Sequence, residues 1–349
     1  MGFSDIVRHT EHAINSLGVR RKKAAGWVPE IHTYCGYGSP NRLHVIGRVL
    51  MGDPEHDPDE SRTATGQVRT VAYEAQRGYR QFFTIQVGNH PVQVRVGEQV
   101  VETHTNSNGY FDILVPDHGL EPGWHEVTVS AEGADDAVAE VVIVSPEESI
   151  GIVSDVDDTI MVTNLPRAAH AAYNSWVRRT SARQPVTGMK EFYDELLREH
   201  PTAPVFYLST GAWNTYDTLV RFIDEHKLPR GPLLLTDWGP TPTGLFRSGT
   251  THKKVQLRNL IIEFPQIRWV LVGDNGQHDP LTYSDLITEH PDAVAGVAIR
   301  ELTPKEHILS HGTAASLTGP LSSGRDGIPA ISGPDGLALR ELYRENPFS

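Results

Sequence analysis

At Ser149 the hydrophobic pattern of this chain changes its period. Upstream, short alternating or β-branched segments occupy 43–49, 82–87, 92–96, 124–129 and 139–144. Turn formers separate them, among them Gly88-Asn89-His90-Pro91, Asn106-Ser107-Asn108-Gly109 and Leu120-Glu121-Pro122-Gly123. Alternation broken by frequent turn signals predicts an all-β, sandwich-like domain over 28–147. Downstream, apolar runs at 150–154, 205–208, 233–236, 269–272 and 295–299 alternate with amphipathic stretches at 189–199, 215–225, 253–264 and 282–289. That alternation predicts an α/β domain with a parallel sheet over 148–305. Ligands of such sheets bind beyond the carboxyl ends of the strands, so chemistry is expected there.

The flanks are plainer. In the N-terminal segment 1–27, Phe3, Ile6, Val7, Ile14 and Leu17 fall at helical spacing, followed by Arg20, Arg21, Lys22 and Lys23. A helix docked on its own protein is the expectation, with an interfacial membrane helix as the alternative. The acidic run Asp53 to Glu60 lacks the glycine and distal glutamate of a dedicated calcium loop and reads as a solvated loop. Residues 306–349 read as a C-terminal tail, with a Gly, Ser and Pro rich linker at 311–334 and a short helix at 337–345.

With 349 residues, 38% of them hydrophobic, and no apolar run of about 20 residues, the chain reads as a two-domain globular protein. One cysteine, Cys35, excludes an internal disulfide and a cysteine-caged metal, and a cytoplasmic location is the default expectation. A formal net charge of -13 argues against a whole-protein grip on nucleic acid.

Four features carry chemistry. The first expected strand of the α/β region runs into Asp155-Val156-Asp157-Asp158-Thr159. Side chains alternate along extended chain, so Asp155 and Asp157 can project to one side. Two such carboxylates repel unless a cation lies between them, and magnesium, a hard ion, suits carboxylates and a carbonyl. The alternative is a pair of helix-capping aspartates. Ser209-Thr210-Gly211, at the end of the next apolar run, offers a hydroxyl and a turn into a helix, a phosphate cradle or an ordinary cap. His252-Lys253-Lys254 opens an amphipathic helix, where a lysine opposes the helix dipole unless it faces an anion. Last, the buried run 269–272 ends in Gly273-Asp274, with Asp279 five residues on; a carboxylate beyond a hydrophobic strand needs compensating charge.

Aspartate pair, hydroxyl, lysine and Gly-Asp-x4-Asp stand in the order of the haloacid-dehalogenase superfamily, which this region resembles. Ser154-Asp-Val-Asp-Asp-Thr-Ile160, Leu208-Ser-Thr-Gly-Ala-Trp213, Leu235-Thr-Asp-Trp-Gly-Pro240 and Gly273-Asp-Asn-Gly-Gln-His-Asp-Pro280 resemble the phosphatidate phosphatase catalytic-domain family. Tyr34-Cys-Gly-Tyr-Gly-Ser39 with Gly47-Arg-Val49 is similar to the β-rich N-terminal region of that family. Fungal members carry Ser-x-Ser-Pro-Trp where this chain has Ser209-Thr-Gly-Ala-Trp213.

The resemblance implies a Rossmann-like parallel sheet with a small cap and a magnesium-dependent phosphatase working through an aspartyl-phosphate. By it, Asp155 is the nucleophile and Asp157 the general acid and base. Magnesium is held by Asp155, the Asp157 carbonyl and Asp274, with Asp279 ligating through water or orienting Asp274. Ser209 and Lys253 bind phosphoryl oxygens, Lys254 being the alternative lysine, and Thr159 supports the loop. Trp213, Trp238 and the 239–244 loop are rim candidates, with ordinary aromatic packing the equal alternative. The implied substrate is phosphatidate, met at a membrane surface by peripheral contact. A soluble phosphomonoester, a phosphoprotein, or a retired catalytic domain serving as a binding module are the competing readings.

Overall fold

The computed structural model describes residues 24, 26–52, 85–162, 184–236, 249–276, 278–311 and 327–348. The expected helix over 3–17, the acidic run 53–60, Trp238 and the 239–244 loop lie outside the described residues. Chain contacts define two compact units, 1–145 with 238–247, and 146–237 with 248–349. No helix among the described residues is long and apolar enough to cross a membrane.

Among the described residues, the first unit holds eight strands: β1 (Val28–Thr33), β2 (Gly36–Ser39), β3 (Arg42–Gly52), β4 (Pro91–Val96), β5 (Gln99–His104), β6 (Tyr110–Pro116), β7 (Gly123–Ala131) and β8 (Ala137–Ile143). They form one connected network, ordered β1-β3-β2-β8-β7-β4-β5 with β6 on β3, and not two separate sheets. The reason lies in β3. One of its edges is shared by β2 at 42–44 and by β1 at 47–52, while its other edge pairs with β6 over 42–48. Pairing is antiparallel throughout except between β2 and β8. Alternate residues of β4, β6, β7 and β8, such as Val92, Val94, Ile113, Val129 and Val141, line a single core, as a period of two requires.

Among the described residues, the second unit is built on six parallel strands: β9 (Ile150–Asp155), β10 (Val205–Ala212), β11 (Leu233–Thr236), β12 (Arg268–Asp274), β13 (Val294–Arg300) and β14 (Ala330–Gly333). Their order is β11-β10-β9-β12-β13-β14, which reverses direction between β9 and β12. Such a reversal opens a crevice at the carboxyl ends of the two central strands. Both strands are almost wholly buried, which is why they read as continuous apolar runs. Gly151 admits the Trp269 indole against β9, where a Cβ would stand 2.5 Å from the ring.

Helices alternate with these strands: α1 (Met189–Leu196), α2 (Tyr216–Glu225), α3 (Gly249–Glu263), α4 (Asp279–Glu289), α5 (Pro304–His311) and α6 (Gly336–Glu345). In α1, Met189, Phe192, Tyr193 and Leu196 repeat at one helical face and are buried. In α2 the same spacing buries Leu219, Phe222 and Ile223.

Three expectations need correction. Residues 306–349 are not simply a tail: β14 adds a sixth strand beside β13, and α6 packs on α1, with Leu339 fully buried. An unpaired edge of β13 would leave backbone groups without partners, and β14 supplies them. Asp335 starts α6 by accepting from the Ala338 amide at 3.0 Å. Next, α3 begins at Gly249, so Lys253 lies one turn inside the helix and not at its first residue. Finally, α4 begins at Asp279, three residues ahead of the stretch expected at 282–289, so that Asp279 is its first residue. A carboxylate there meets the favourable end of the helix dipole, and Pro280 suits the first turn.

Candidate active site

Asp155 is the last residue of β9, and the chain after it turns tightly back on itself. The Asp158 amide donates to the Met161 carbonyl at 2.8 Å, and Asp158 takes a left-handed backbone at φ 59°. The turn folds Thr159 over the strand end, so that its Oγ1 donates to Asp155 Oδ2 at 3.1 Å. Residues 160–162 then pair with 184–186, through Val162 N to Gln184 O and Val186 N to Ile160 O. The chain thus departs after 162 and returns at 184 beside the 155–159 loop.

Lys253 reaches in from α3. Its Nζ donates to Asp155 Oδ1 at 2.6 Å and to Asp279 Oδ1 at 2.5 Å. All three residues are buried. Lys254 points elsewhere and pairs with Asp285 at 2.5 Å, half exposed. Geometry therefore separates the two lysines where the sequence left both open.

Asp274 ends β12 and is fully buried, its Oδ1 accepting from the Gly276 amide at 2.7 Å. Asp279 comes close because residue 273 is glycine. A Cβ there would lie 2.7 Å from Asp279 Oδ2 and 2.8 Å from Tyr283 Oη. One carboxylate oxygen each from Asp155, Asp274 and Asp279 lie within 4.8 Å of one another. Donors around one small hard cation, at about 2.1 Å each, span roughly 4 Å, so this all-oxygen set suits such an ion with little adjustment.

Ser209, at the end of β10, donates through Oγ to Asp157 Oδ2 at 3.2 Å and accepts from the Gly211 amide at 2.9 Å. Thr236 on β11 holds the turn from the other side, its Oγ1 lying 3.0 Å from the Thr210 carbonyl and 3.1 Å from that of Gly211. Asp157 is the half-exposed member of this group, whereas Asp155, Thr159, Ser209, Lys253, Asp274 and Asp279 are buried. Trp213 is buried against Tyr216.

Burial dominates the electrostatics. It pushes Asp155 up to about 8; Lys253 opposes the shift, and Asp279 and Asp157 add to it. Burial also raises Asp274 well above the usual carboxylate range, with Asp279 and Asp155 reinforcing it. For Lys253, burial works against the ammonium, yet Asp155 and Asp279 outweigh it and hold the group above the ordinary lysine value. Three buried carboxylates around one ammonium leave negative charge that protons or a cation must offset.

Several supporting residues were not singled out from the sequence. Tyr193 on α1 shares a 2.5 Å hydrogen bond with Ser154 Oγ, directly beneath Asp155. Tyr283 on α4 donates to the Val272 carbonyl at 3.0 Å. Arg300 closes β13 and donates to the Asp158 carbonyl at 2.7 Å. The tyrosines are hidden in apolar helix faces. Arg300 left one signal, a charge ending the otherwise apolar run Val294-Ala-Gly-Val-Ala-Ile299.

Residues 150–301 match the family described as phosphatidate phosphatase APP1, catalytic domain. Over 175 residues the chain is 27% identical to phosphatidate phosphatase APP1 of Saccharomyces cerevisiae, covering 48% of this chain and 29% of that protein. Over 207 residues it is 22% identical to an uncharacterised protein of Schizosaccharomyces pombe, covering 57% of this chain and 34% of that protein. The match thus spans about a third of each curated relative. A solved carbohydrate acetylesterase from Xanthomonas citri aligns over 76% of this chain and 66% of its own at 9% identity, with a TM-score of 0.26, too loose to bear on fold or function.

Proposed function

We propose that this chain, whose residues 150–301 match the APP1 phosphatidate phosphatase catalytic-domain family, hydrolyses phosphatidate to diacylglycerol and phosphate through an aspartyl-phosphate on Asp155. The observation that carries this reading is the convergence of Asp155, Lys253, Asp274 and Asp279 in one buried cluster, with Asp157 and Ser209 at its edge. The fold we propose for this unit is the Rossmann-like sheet of the haloacid-dehalogenase superfamily. The strand order reversing between β9 and β12, beside Asp155 and Asp274, supports it.

In this mechanism an Asp155 oxygen attacks phosphorus while the bond to the glycerol oxygen breaks on the opposite side. Thr159 orients the carboxylate by its bond to Oδ2. Asp157, half exposed and bonded to Ser209, delivers a proton to the departing alkoxide. Now a carboxylate, it takes a proton from the water that attacks the acyl-phosphate, which frees inorganic phosphate and restores Asp155. Lys253 and Ser209 hold the phosphoryl oxygens as charge spreads over them. Magnesium, which Asp155, the Asp157 carbonyl and Asp274 would hold with Asp279 assisting, supplies positive charge that keeps Asp155 ionised and offsets the phosphoryl oxygens. Because phosphatidate resides in bilayers, the reading includes peripheral contact with a membrane surface.

Phosphate release from dioleoyl phosphatidate in mixed micelles and from a soluble nitrophenyl ester tests the proposal, at fixed magnesium, with wild type beside Asp155→Asn. Release from phosphatidate by wild type alone supports it. Turnover of the soluble ester without any release from phosphatidate leaves a phosphatase and removes the lipid. Equal rates in both proteins overturn the mechanism.

A further inference from the structure

Arg300 is buried, and its guanidinium is engaged on three sides. Nη1 donates to the Asp158 carbonyl at 2.7 Å, Nη2 to Glu306 Oε1 at 2.5 Å, and Nε to the Pro334 carbonyl at 3.3 Å. Its own carbonyl accepts from the Asn275 amide at 3.0 Å, one residue past Asp274. One residue therefore touches the backbone of both loops that carry the clustered aspartates.

The contact with Asp158 is the informative one. That residue lies between Asp155 and Thr159 at φ 59°, a left-handed conformation uncommon for a side chain other than glycine. A turn in such a state persists where its surroundings hold it, and a charged donor on its carbonyl is a strong restraint. The restraint is itself braced from outside the family match. Glu306 lies on α5, its carboxylate also accepting from the Thr303 amide at 2.8 Å. Pro334 joins β14 to α6, and Gly336 is seated against Gly188, donating its amide to the Thr187 carbonyl at 2.9 Å.

We propose that Arg300 is a positioning residue for phosphoryl transfer, holding the 155–159 loop and the 274–279 loop in register from an anchor in the C-terminal segment 303–345. This role presupposes the phosphatase reading above. Arg300 touches no reacting atom; it acts by fixing the Asp158 carbonyl and hence the orientation of Asp155 and Thr159. A C-terminal segment outside the matched residues thereby becomes part of the working catalytic unit.

The decisive comparison uses full-length wild type, Arg300→Lys and Arg300→Ala. A lysine keeps charge for Glu306 but cannot reach both carbonyls, so it separates positioning from folding. Misplacement of reacting groups by about 1 Å costs on the order of 100-fold in rate. Arg300→Lys is therefore expected to lower kcat about 10- to 100-fold on the nitrophenyl ester, with KM within about 3-fold of wild type. Deuterium uptake over 155–161 is expected to rise, and added guanidinium to restore part of the kcat lost in Arg300→Ala. Unchanged kcat in Arg300→Lys overturns the proposal whatever the uptake, as does a kcat loss that follows only the fraction unfolded. Should wild type release phosphate from no ester, the phosphatase reading fails by itself. The exchange arm then decides whether Arg300 holds the loop, unchanged uptake overturning it and raised uptake sustaining it.

Discussion

Lys253 Nζ lies 2.6 Å from Asp155 Oδ1 although 98 residues separate them along the chain. The same ammonium is 2.5 Å from Asp279 Oδ1, so one cation joins the ends of β9, α3 and α4. Breaking a buried ion pair by removing one partner costs about 3–5 kcal/mol. Lys253→Ala is accordingly expected to lower stability by about that amount and to abolish phosphate release. Lys254→Ala, which breaks a half-exposed pair with Asp285, is expected to cost no more than about 1 kcal/mol and to retain activity. Denaturant unfolding and a phosphate-release assay on both variants check this. Comparable losses in the two would show that Lys253 has no special place.

The acidity of Asp155 predicts an unusual pH dependence. Burial first, with Asp279 and Asp157 adding and Lys253 opposing, raises this group from 3.8 to about 8 in the folded, metal-free chain. Between those values the folded state keeps a proton that the unfolded state has released. The stabilising contribution is therefore full below about pH 4 and fades as pH rises through about 8. In the absence of metal, Asp155→Asn should flatten this decline and raise the Tm near pH 8 by a few degrees, about 1 kcal/mol or more. Magnesium, which favours the ionised form and displaces the proton, should raise the wild-type Tm more near pH 8 than near pH 5. Scanning calorimetry with and without magnesium reads both effects, and a Tm gain larger at the acid end would contradict them.

Gly273→Ala inserts a methyl group where Asp279 Oδ2 and Tyr283 Oη already stand at 2.7 and 2.8 Å. Both must move, and overpacking of this kind costs about 1–3 kcal/mol. The displaced Asp279 should weaken magnesium binding about 10- to 100-fold, the usual effect of disturbing a supporting carboxylate. Isothermal titration with magnesium measures it, and wild-type affinity in the variant would mean that Asp279 does not support the ion.

Asp157→Asn removes the proposed acid and base while leaving an amide of similar shape beside Ser209. Positioned proton transfer contributes about 10²- to 10⁴-fold, and kcat on an alkyl phosphate should fall by that factor. A nitrophenyl ester, whose leaving group needs little protonation, should lose less in its first turnover. Rapid-quench burst amplitudes and rates separate the two, and equal losses would argue against a role for Asp157 as acid.

Much of the second unit was legible in the chain because its strands are buried on both faces and its helices on one. Those patterns are local, and 150–154, 205–208, 233–236, 269–272 and 295–299 all fall within observed strands. In the first unit, β1, β2, β5 and β6 were not anticipated. Gly36–Ser39 has no alternation to read, and Gln99–His104 is flanked by polar turns, its side chains alternately half-buried and exposed. The aspartates and Lys253 could be proposed from residue type and order alone, since each follows an apolar run or lies in a helix.

What the amino-acid order determined by itself was local: which segments extend, which coil, and which charged groups follow a buried run. It could not decide between Lys253 and Lys254, because adjacent residues on a helix differ by about 100° in direction and only docking chooses the inward one. Nor could it find Arg300, Tyr193 or β14, whose partners lie far away in sequence. Those depend on which strands become neighbours, and the reversal of strand order between β9 and β12 brings the aspartate loops together. Burial then does the rest: in a medium that poorly solvates charge, carboxylates from distant segments are tolerable only around a shared positive partner.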